Sequence, residues 1–365
     1  MPLIVDSHQD LAWNMLNFGR DYTRSTTKTR ELECGSPIIA YNGDSLLGWP
    51  DFQRGQVAVV FSTLFATPAR RKTSQLESVV YPDTDFEAAH RLYRAQVDEY
   101  SRLVEAHPDK FRLIRSIPEL EALIAHWQEP EVDSGHPVGL VLLMEGADGI
   151  RNPSELDEWW ELGLRLIGLA WAGNRYCGGT REPGPLTEAG RALLRAMYDF
   201  NFCLDVSHMD ETAALQALDS YPGPVVSTHG NCAALLSGSS SNRHLTDAVI
   251  RRLIDRQGVI GVVPYNWFLK ADWKKGDSRQ GIHLDWLVPH IDHICQMAGD
   301  AHHVGIGSDY DGGFGLQSVP EDVDTIADLQ NLAPLLSARG YSQTDIRAIL
   351  GENWLNHLRK NLPAS

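Results

Sequence analysis

Short runs dominated by Val, Ile and Leu recur along the chain at Leu3–Val5, Val57–Phe61, Val138–Met144, Leu164–Trp171, Phe202–Val206, Pro224–Ser227, Val259–Val263 and His303–Gly307. They lack the alternation of a strand with one wet face. Such runs suit strands buried on both faces, as in a parallel sheet beneath helices. Between them the apolar period changes to three and four. Glu87–Ala106 carries Ala88, Leu92, Ala95, Tyr100 and Leu103 at such steps, and Thr187–Phe200 starts on a threonine cap with Leu193, Leu194 and Met197 on one side. Asp210–Leu218 opens on Asp210 as N-cap, with Glu211 in the first turn where the helix dipole favours an anion. Thr246–Gln257 is followed by Gly258, a good residue for a left-handed helix end. Trp286–Met297 precedes the last run, and two or three helices close the chain after Asp322.

About eight strands alternating with helices over 365 residues is the count of an α/β fold of the (β/α)8, TIM-type barrel kind, with an open doubly wound sheet as the alternative. No repeat, low-complexity tract or Gly/Ser linker divides the chain, so 1–365 is read as a single barrel domain. Asp21–Asp51 reads as a long insertion after the first strand. Trp267–Gly281 reads as a second, charged loop placed to overhang a site.

The polar residues that follow the runs carry the chemistry. Asp6-Ser7-His8-Gln9-Asp10 follows the first run, and the third ends in Met144-Glu145-Gly146. The fifth ends in Asp205-Val206-Ser207-His208, the sixth in Ser227-Thr228-His229-Gly230 and the eighth in Gly307-Ser308-Asp309-Tyr310-Asp311. In a barrel these strand ends converge on one face, where active sites of the fold lie. Each motif alone is weak, since His-x-Asp is common and a strand-end histidine is often structural. Jointly they are specific. A buried carboxylate needs a partner, none of these motifs contains Lys or Arg, and a bound cation would neutralise them. His8, Asp10, Glu145, His208 and His229 offer three imidazoles and two carboxylates, a mixture suited to zinc or a similar first-row ion. Five ligands exceed one open tetrahedral site and suffice for two ions if a carboxylate bridges them. Asp309 is then a sixth ligand or a proton shuttle.

Charge narrows the partners. Lys plus Arg is 32 against 48 Asp plus Glu, a net charge of −16, which repels phosphate backbones and anionic lipid, so nucleic-acid and membrane roles are not expected. Five cysteines, odd in number and without a CxxC pair, point to free thiols in a reducing compartment. No secretion signal, membrane span or lipid-anchor tail is read from the chain, and a soluble cytoplasmic protein is expected. Several residues are assigned plain roles. Trp13, Trp159 and Trp160 are read as packing, Asp311 as a loop brace, and Arg70-Arg71-Lys72 as a solvated face. Cys177-Gly178-Gly179 is read as a tight loop. The histidines near the eighth run, His283, His290, His293, His302 and His303, are read mostly as surface or structural, with His302 or His303 able to approach the barrel mouth.

The order HxD, strand-end Glu, DVSH, STHGN and GSDYDG resembles the membrane (renal) dipeptidase family, peptidase family M19 of the amidohydrolase superfamily, over nearly the whole chain. The resemblance implies a (β/α)8 barrel holding two zinc ions and hydrolysing dipeptides, often with a D-residue on the C-terminal side. It implies that His8 and Asp10 hold one zinc, His208 and His229 the other, and that Glu145 bridges them, with a hydroxide between the two cations as nucleophile. It makes Asp309 the acid/base residue, Arg243 the partner of the substrate carboxylate and Tyr265 a residue near the substrate. A homodimer is implied by the resemblance alone. One departure stands out: Trp171, in Gly168–Asn174, occupies the place of a family histidine that contacts the substrate carbonyl. An indole N–H donates one hydrogen bond and carries no proton or charge. That leaves three alternatives. One is a binuclear amidohydrolase acting on another amide or ester, such as an N-acyl amino acid or a lactone. Another is a metal-binding protein without catalysis, which the intact Asp309 argues against. The third, a magnesium-dependent phosphate-transfer barrel, is disfavoured by the imidazole-rich site and the lack of a Gly-rich phosphate loop.

Overall fold

The structure, a computed structural model, describes residues 1–129, 135–239 and 241–365. Its centre is a ring of parallel strands: β1 Ile4–Gln9, β2 Val57–Leu64, β3 Val138–Glu145, β4 Leu164–Gly168, β5 Cys203–Asp205, β6 Val225–Val226, β7 Ile260–Val262 and β8 Val304–Ile306. Sequence neighbours pair from β1 to β6, and β8 lies between β1 and β7. Ser227, just past β6, bridges Ile260 of β7, with Ser227 N donating to Val259 O at 3.0 Å and Gly261 N to Ser227 O at 2.8 Å. That bridge closes the barrel, so the open sheet is excluded. Each strand lies on one of the eight apolar runs. A further short strand, Phe111–Leu113, pairs with the first half of β3 and has no counterpart among the runs.

The runs lack alternation because both faces of the strands are buried; β2 and β3 are buried along their whole length. Helices cover the outside, and the inside is filled by side chains and backbone. The Ser7 hydroxyl lies 2.5 Å from Thr228 O and 2.9 Å from Ile306 O across the barrel. A Cβ on Gly261 or Gly307 would stand 2.0 or 1.9 Å from the same Thr228 carbonyl. Glycine at these two positions lets the interior close. Among the described residues no helix is long and apolar enough to cross a membrane, and all five cysteines are free, four of them buried.

The helices follow the apolar period, with corrections. Thr187, Asp210 and Thr246 cap their helices with side-chain hydrogen bonds to Gly190 N, Thr212 N and Val249 N. The long helix Phe86–Ala106 buries Ala89, Tyr93, Val97, Tyr100 and Leu103 rather than Ala88, Leu92 and Ala95, which stand on its flank. The two tyrosines turn the face: Tyr93 donates to Glu145 O at 2.9 Å and Tyr100 to Thr63 O at 2.9 Å, so each phenol holds a strand end. After Asp247–Asp255 the left-handed residue is Gln257 (φ 57°) and not Gly258. The helix expected from Trp286 starts at Val288, after a 3-10 turn over Leu284–Leu287. Cys177–Gly179 is a strand of a small antiparallel hairpin with Glu182–Leu186 rather than a tight loop.

The segment 21–51 carries three short helices, Thr26–Glu33, Pro37–Asn42 and Trp49–Arg54. One buried carboxylate fastens it to the barrel. Asp311, past β8, accepts from Leu46 N at 2.8 Å, Ser45 Oγ at 2.7 Å and Tyr22 Oη at 3.1 Å, and pairs with Arg20 Nη1 at 2.9 Å. Arg20 in turn grips Glu33 through two 2.9 Å bonds. Asp311 is the brace the sequence suggested. Removing one partner of such a buried pair leaves the other charge uncompensated. Arg20→Met is therefore expected to lower stability by about 3–5 kcal/mol, read as a shift of the urea unfolding midpoint at unchanged slope.

Candidate active site

The C-terminal strand ends bring His8, Asp10, Glu145, His208, His229 and Asp309 together. Oε1 of Glu145 lies 3.0 Å from His208 Nε2, 3.3 Å from His229 Nε2 and 3.6 Å from His8 Nε2. Ligand atoms of His8, Glu145 and His229 form one compact group, and those of His8, Asp10 and Asp309 form another within the same 4.8 Å spread. His8 thus belongs to both. All six side chains are buried or nearly so.

What aims the imidazoles is a set of hydroxyls. Thr228 Oγ1 donates to Asp205 Oδ2 at 2.5 Å, so its oxygen is left to accept from His8 Nδ1 at 3.3 Å and His229 Nδ1 at 3.0 Å. Thr180 Oγ1 lies 2.9 Å from His208 Nδ1 and 3.3 Å from His208 O, within hydrogen-bond reach of both. With the Thr228 proton committed to Asp205, His8 and His229 carry a proton on Nδ1, Thr180 engages His208 Nδ1, and all three rings turn Nε2 toward Glu145. Asp10 is held by the Thr63 hydroxyl. His208 (φ 65°), Asp309 (φ 57°) and Asp311 (φ 64°) take left-handed backbone without being glycine, the kind of strain that clusters at functional sites. Gly312 has no latitude, since a Cβ there would lie 2.0 Å from Asp309 Oδ1.

The cluster suits a cation. His208 Nε2 and His229 Nε2 lie 2.8 Å apart, and two lone pairs so close repel unless a positive centre lies between or beside them. His8 Nε2 is buried and has no hydrogen-bond partner. Burial, with the charge of Glu145 next, pushes Asp10 up to about 6. Burial also pushes Asp309 well above the carboxylate range, reinforced by Asp10 and Glu145 and opposed by His8 and Arg243. Burial works against protonation of His8, but attraction to Glu145, Asp10 and Asp309 outweighs it and raises the ring to about 9. Cations that displace this proton and sit among three carboxylates would relieve all of these costs.

In front of the cluster opens a cavity of about 520 Å³. Asp10, Glu145, His208 and Asp309 form its floor, while His8 and His229 lie behind them. Arg243, Tyr265 and Trp171 line its walls. Arg243 is 3 % exposed; Nη2 donates to His229 O at 2.8 Å, while Nε and Nη1 are buried without partners. Burial lowers its pKa to about 10. Tyr265 stacks on Phe314 at 4.1 Å, and Trp171 packs against Phe65 and lies 6.1 Å from the His208 ring.

Some readings need correction. Asp6 and Asp205 need no cation: Asp6 accepts from Ser308 N, Ser308 Oγ and Gln9 Nε2, and Asp205 from Ser207 N and Thr228. Backbone and hydroxyl donors satisfy them, which a motif without Lys or Arg does not reveal. Trp13 lines the cavity with an unpartnered indole N–H, although it also packs on Phe18. The basic run is not a solvated face: Arg70 and Arg71 both bind Glu182, and Arg71 reaches the cavity. His303 binds Gly258 O at 2.9 Å at the start of β8, the end of the barrel away from the cavity. Thr228 and Asp205 stand inside quoted motifs, so their role had a signal; Thr63 and Thr180 had none.

A profile of the membrane dipeptidase family (peptidase family M19) matches residues 1–362. An uncharacterised protein in the pqqA 5′ region of Klebsiella pneumoniae is 33% identical over 232 residues, covering 61% of this chain and 82% of its own. Dipeptidase tcpJ of Claviceps purpurea is 25% identical over 327 residues, 86% of this chain and 70% of its own. A metallopeptidase from Rhodobacter sphaeroides, solved with a phosphinate mimic of the dipeptide L-Ala-D-Ala, superposes with a TM-score of 0.78 at 24% identity over 99% of both chains.

The hydroxyl that serves two imidazoles is open to test. Thr228→Val keeps the shape and removes the acceptor. Divalent metal affinity, measured by competition with a chromophoric chelator, is expected to fall about 10–100-fold.

Proposed function

The chain belongs to the membrane dipeptidase family, peptidase family M19, and from that premise we propose that it hydrolyses dipeptides with a pair of divalent cations, zinc foremost. His8 and Asp10 would hold one cation, His208 and His229 the other, and Glu145 would bridge them. The observation that carries this reading is the convergence of three imidazole Nε2 atoms on Glu145 Oε1, with every Nδ1 engaged by a hydroxyl. Nitrogen and carboxylate donors in this mixture favour zinc over magnesium or calcium.

When bound, the cations supply the charge that acidifies a water and polarises the scissile carbonyl. The chain's own residues do the rest. Asp309 stands 4.0 Å from His8 Nε2 on the cavity floor. It takes the proton of the attacking water and returns it to the departing amine, a single carboxyl acting first as base and then as acid. Arg243 presents two unpartnered N–H edges and binds the C-terminal carboxylate of the substrate in a fork. A buried, fixed cation at that place restricts turnover to short peptides with a free terminus. Tyr265 and Trp171 shape the walls of the cavity that receives the substrate.

Trp171 also favours a second reading, in which the substrate is an N-acyl amino acid rather than a dipeptide, because an indole donates to a carbonyl but does not protonate it. The two are separated by turnover of matched dipeptide and N-acetyl amino acid panels, including L-Xaa-D-Xaa dipeptides. Dialysis against a chelator is expected to abolish turnover and zinc to restore it. Asp309→Asn is expected to lower kcat by about 10²–10⁴ with metal content unchanged; full activity would remove Asp309 from the mechanism. Arg243→Met is expected to raise KM by about 10–100-fold, the worth of a hydrogen bond to a charged group.

A further inference from the structure

Arg181 sits at the turn of the hairpin between Cys177–Gly179 and Glu182–Leu186. Its backbone has φ 64°, a conformation that glycine adopts freely and an arginine does not. Arg181 N donates to Asn242 Oδ1 at 2.9 Å, and Asn242 Nδ2 donates to Gly179 O at 3.0 Å. Asn242 immediately precedes Arg243, so these two bonds lock the hairpin turn to the loop carrying the buried arginine. Both arginines line the cavity. They differ in engagement: Arg243 is buried on His229 O, whereas the Arg181 guanidinium is exposed and makes no hydrogen bond or ion pair among the described residues. Its charge still reaches Tyr265, on the neighbouring wall.

The surroundings point the same way. The chain carries a net charge of −16. Yet away from the Asp10–Glu145–Asp309 floor, the cavity lining gathers Arg181, Arg243, Lys274 and Lys275 against Glu77 as its carboxylate, with Arg71 already paired to Glu182. A pocket cationic within an anionic protein concentrates anions. Strained backbone persists where the surrounding structure and the function retain it, and a glycine at 181 would remove the strain together with the charge.

We infer that Arg181 is a specificity-determining residue that selects dipeptides whose C-terminal residue bears a side-chain carboxylate, aspartyl or glutamyl. Arg243 takes the α-carboxylate, as in the reading above on which this rests, and Arg181 takes the side-chain carboxylate a few bonds away. Because Arg181 is exposed, its contribution is modest and screened by salt.

The test is the ratio of kcat/KM for Ala-Glu over Ala-Gln, measured on the metal-loaded enzyme with the second residue in both configurations. The ratio is expected to be about three- to fivefold in the configuration that is turned over, and to shrink as NaCl is raised. In Arg181→Gln it falls to about unity, mainly through KM for Ala-Glu. In Arg181→Glu the preference moves to Ala-Lys over Ala-Glu. Arg181→Gly loses the ratio as well, with a thermal midpoint no lower than the parent's because its backbone strain is gone. Equal turnover of Ala-Glu and Ala-Gln by the parent, or a ratio kept by Arg181→Gln, overturns the inference and leaves the dipeptidase reading standing. Turnover of neither dipeptide overturns both.

Discussion

Three imidazoles aimed at one carboxylate oxygen form the constraint around which this molecule is arranged. Glu145 Oε1 has Nε2 atoms of His208, His229 and His8 at 3.0, 3.3 and 3.6 Å, and none of the three rings is free to turn away. Thr228 has spent its proton on Asp205, so it can only accept from His8 and His229, and Thr180 holds His208 by Nδ1. A lone-pair cluster of this kind, buried beside two further carboxylates, is costly in isolation. It makes physical sense as the cradle of cations, which is how members of a metallopeptidase family would use it.

The barrel serves that cluster. Its parallel strands deliver residues from β1, β3, β5, β6 and β8 to one rim, and buried polar anchors fix each rim segment. Asp6 ties β1 to Ser308, past the end of β8, Asp205 ties the end of β5 to Thr228, and Asp311 ties the 21–51 segment to the loop after β8. Tyr93 and Tyr100 reach from an outer helix to the ends of β3 and β2. These groups do no chemistry themselves. They hold in place backbone that is strained at His208, Asp309 and Asp311, and strain of this sort persists only where neighbours over-determine it.

The cavity above the floor has its own electrostatic logic. Arg243 is buried with two donor edges unspent, and Arg181 is locked to it through Asn242. A floor bearing Asp10, Glu145 and Asp309 and a wall bearing Arg243 and Arg181 stand within one 520 Å³ space. Separation of the two signs around a single cavity gives it a directed field.

The sequence by itself determined eight parallel strands buried on both faces, because apolar runs without alternation need cover on each side, and each run became a strand. The bridge from Ser227 to Ile260, seen only in the structure, decided for a closed barrel over an open sheet. The sequence also named the donors on the rim, since imidazoles and carboxylates placed just past apolar runs meet wherever the strands converge. It did not determine which acids need a cation: Asp6 and Asp205 look like Asp10 in a string of letters. Their donors, Ser308 and Thr228, sit 302 and 23 positions away. Nor could it reveal that Thr63 and Thr180 steer the floor, that Arg71 and Trp13 face the cavity, or that Arg181 stands beside Arg243. Those facts belong to the tertiary structure. Hydrophobic periodicity is local and survives in one dimension, whereas a hydrogen bond or an ion pair depends on which distant backbone the closed barrel brings within 3 Å.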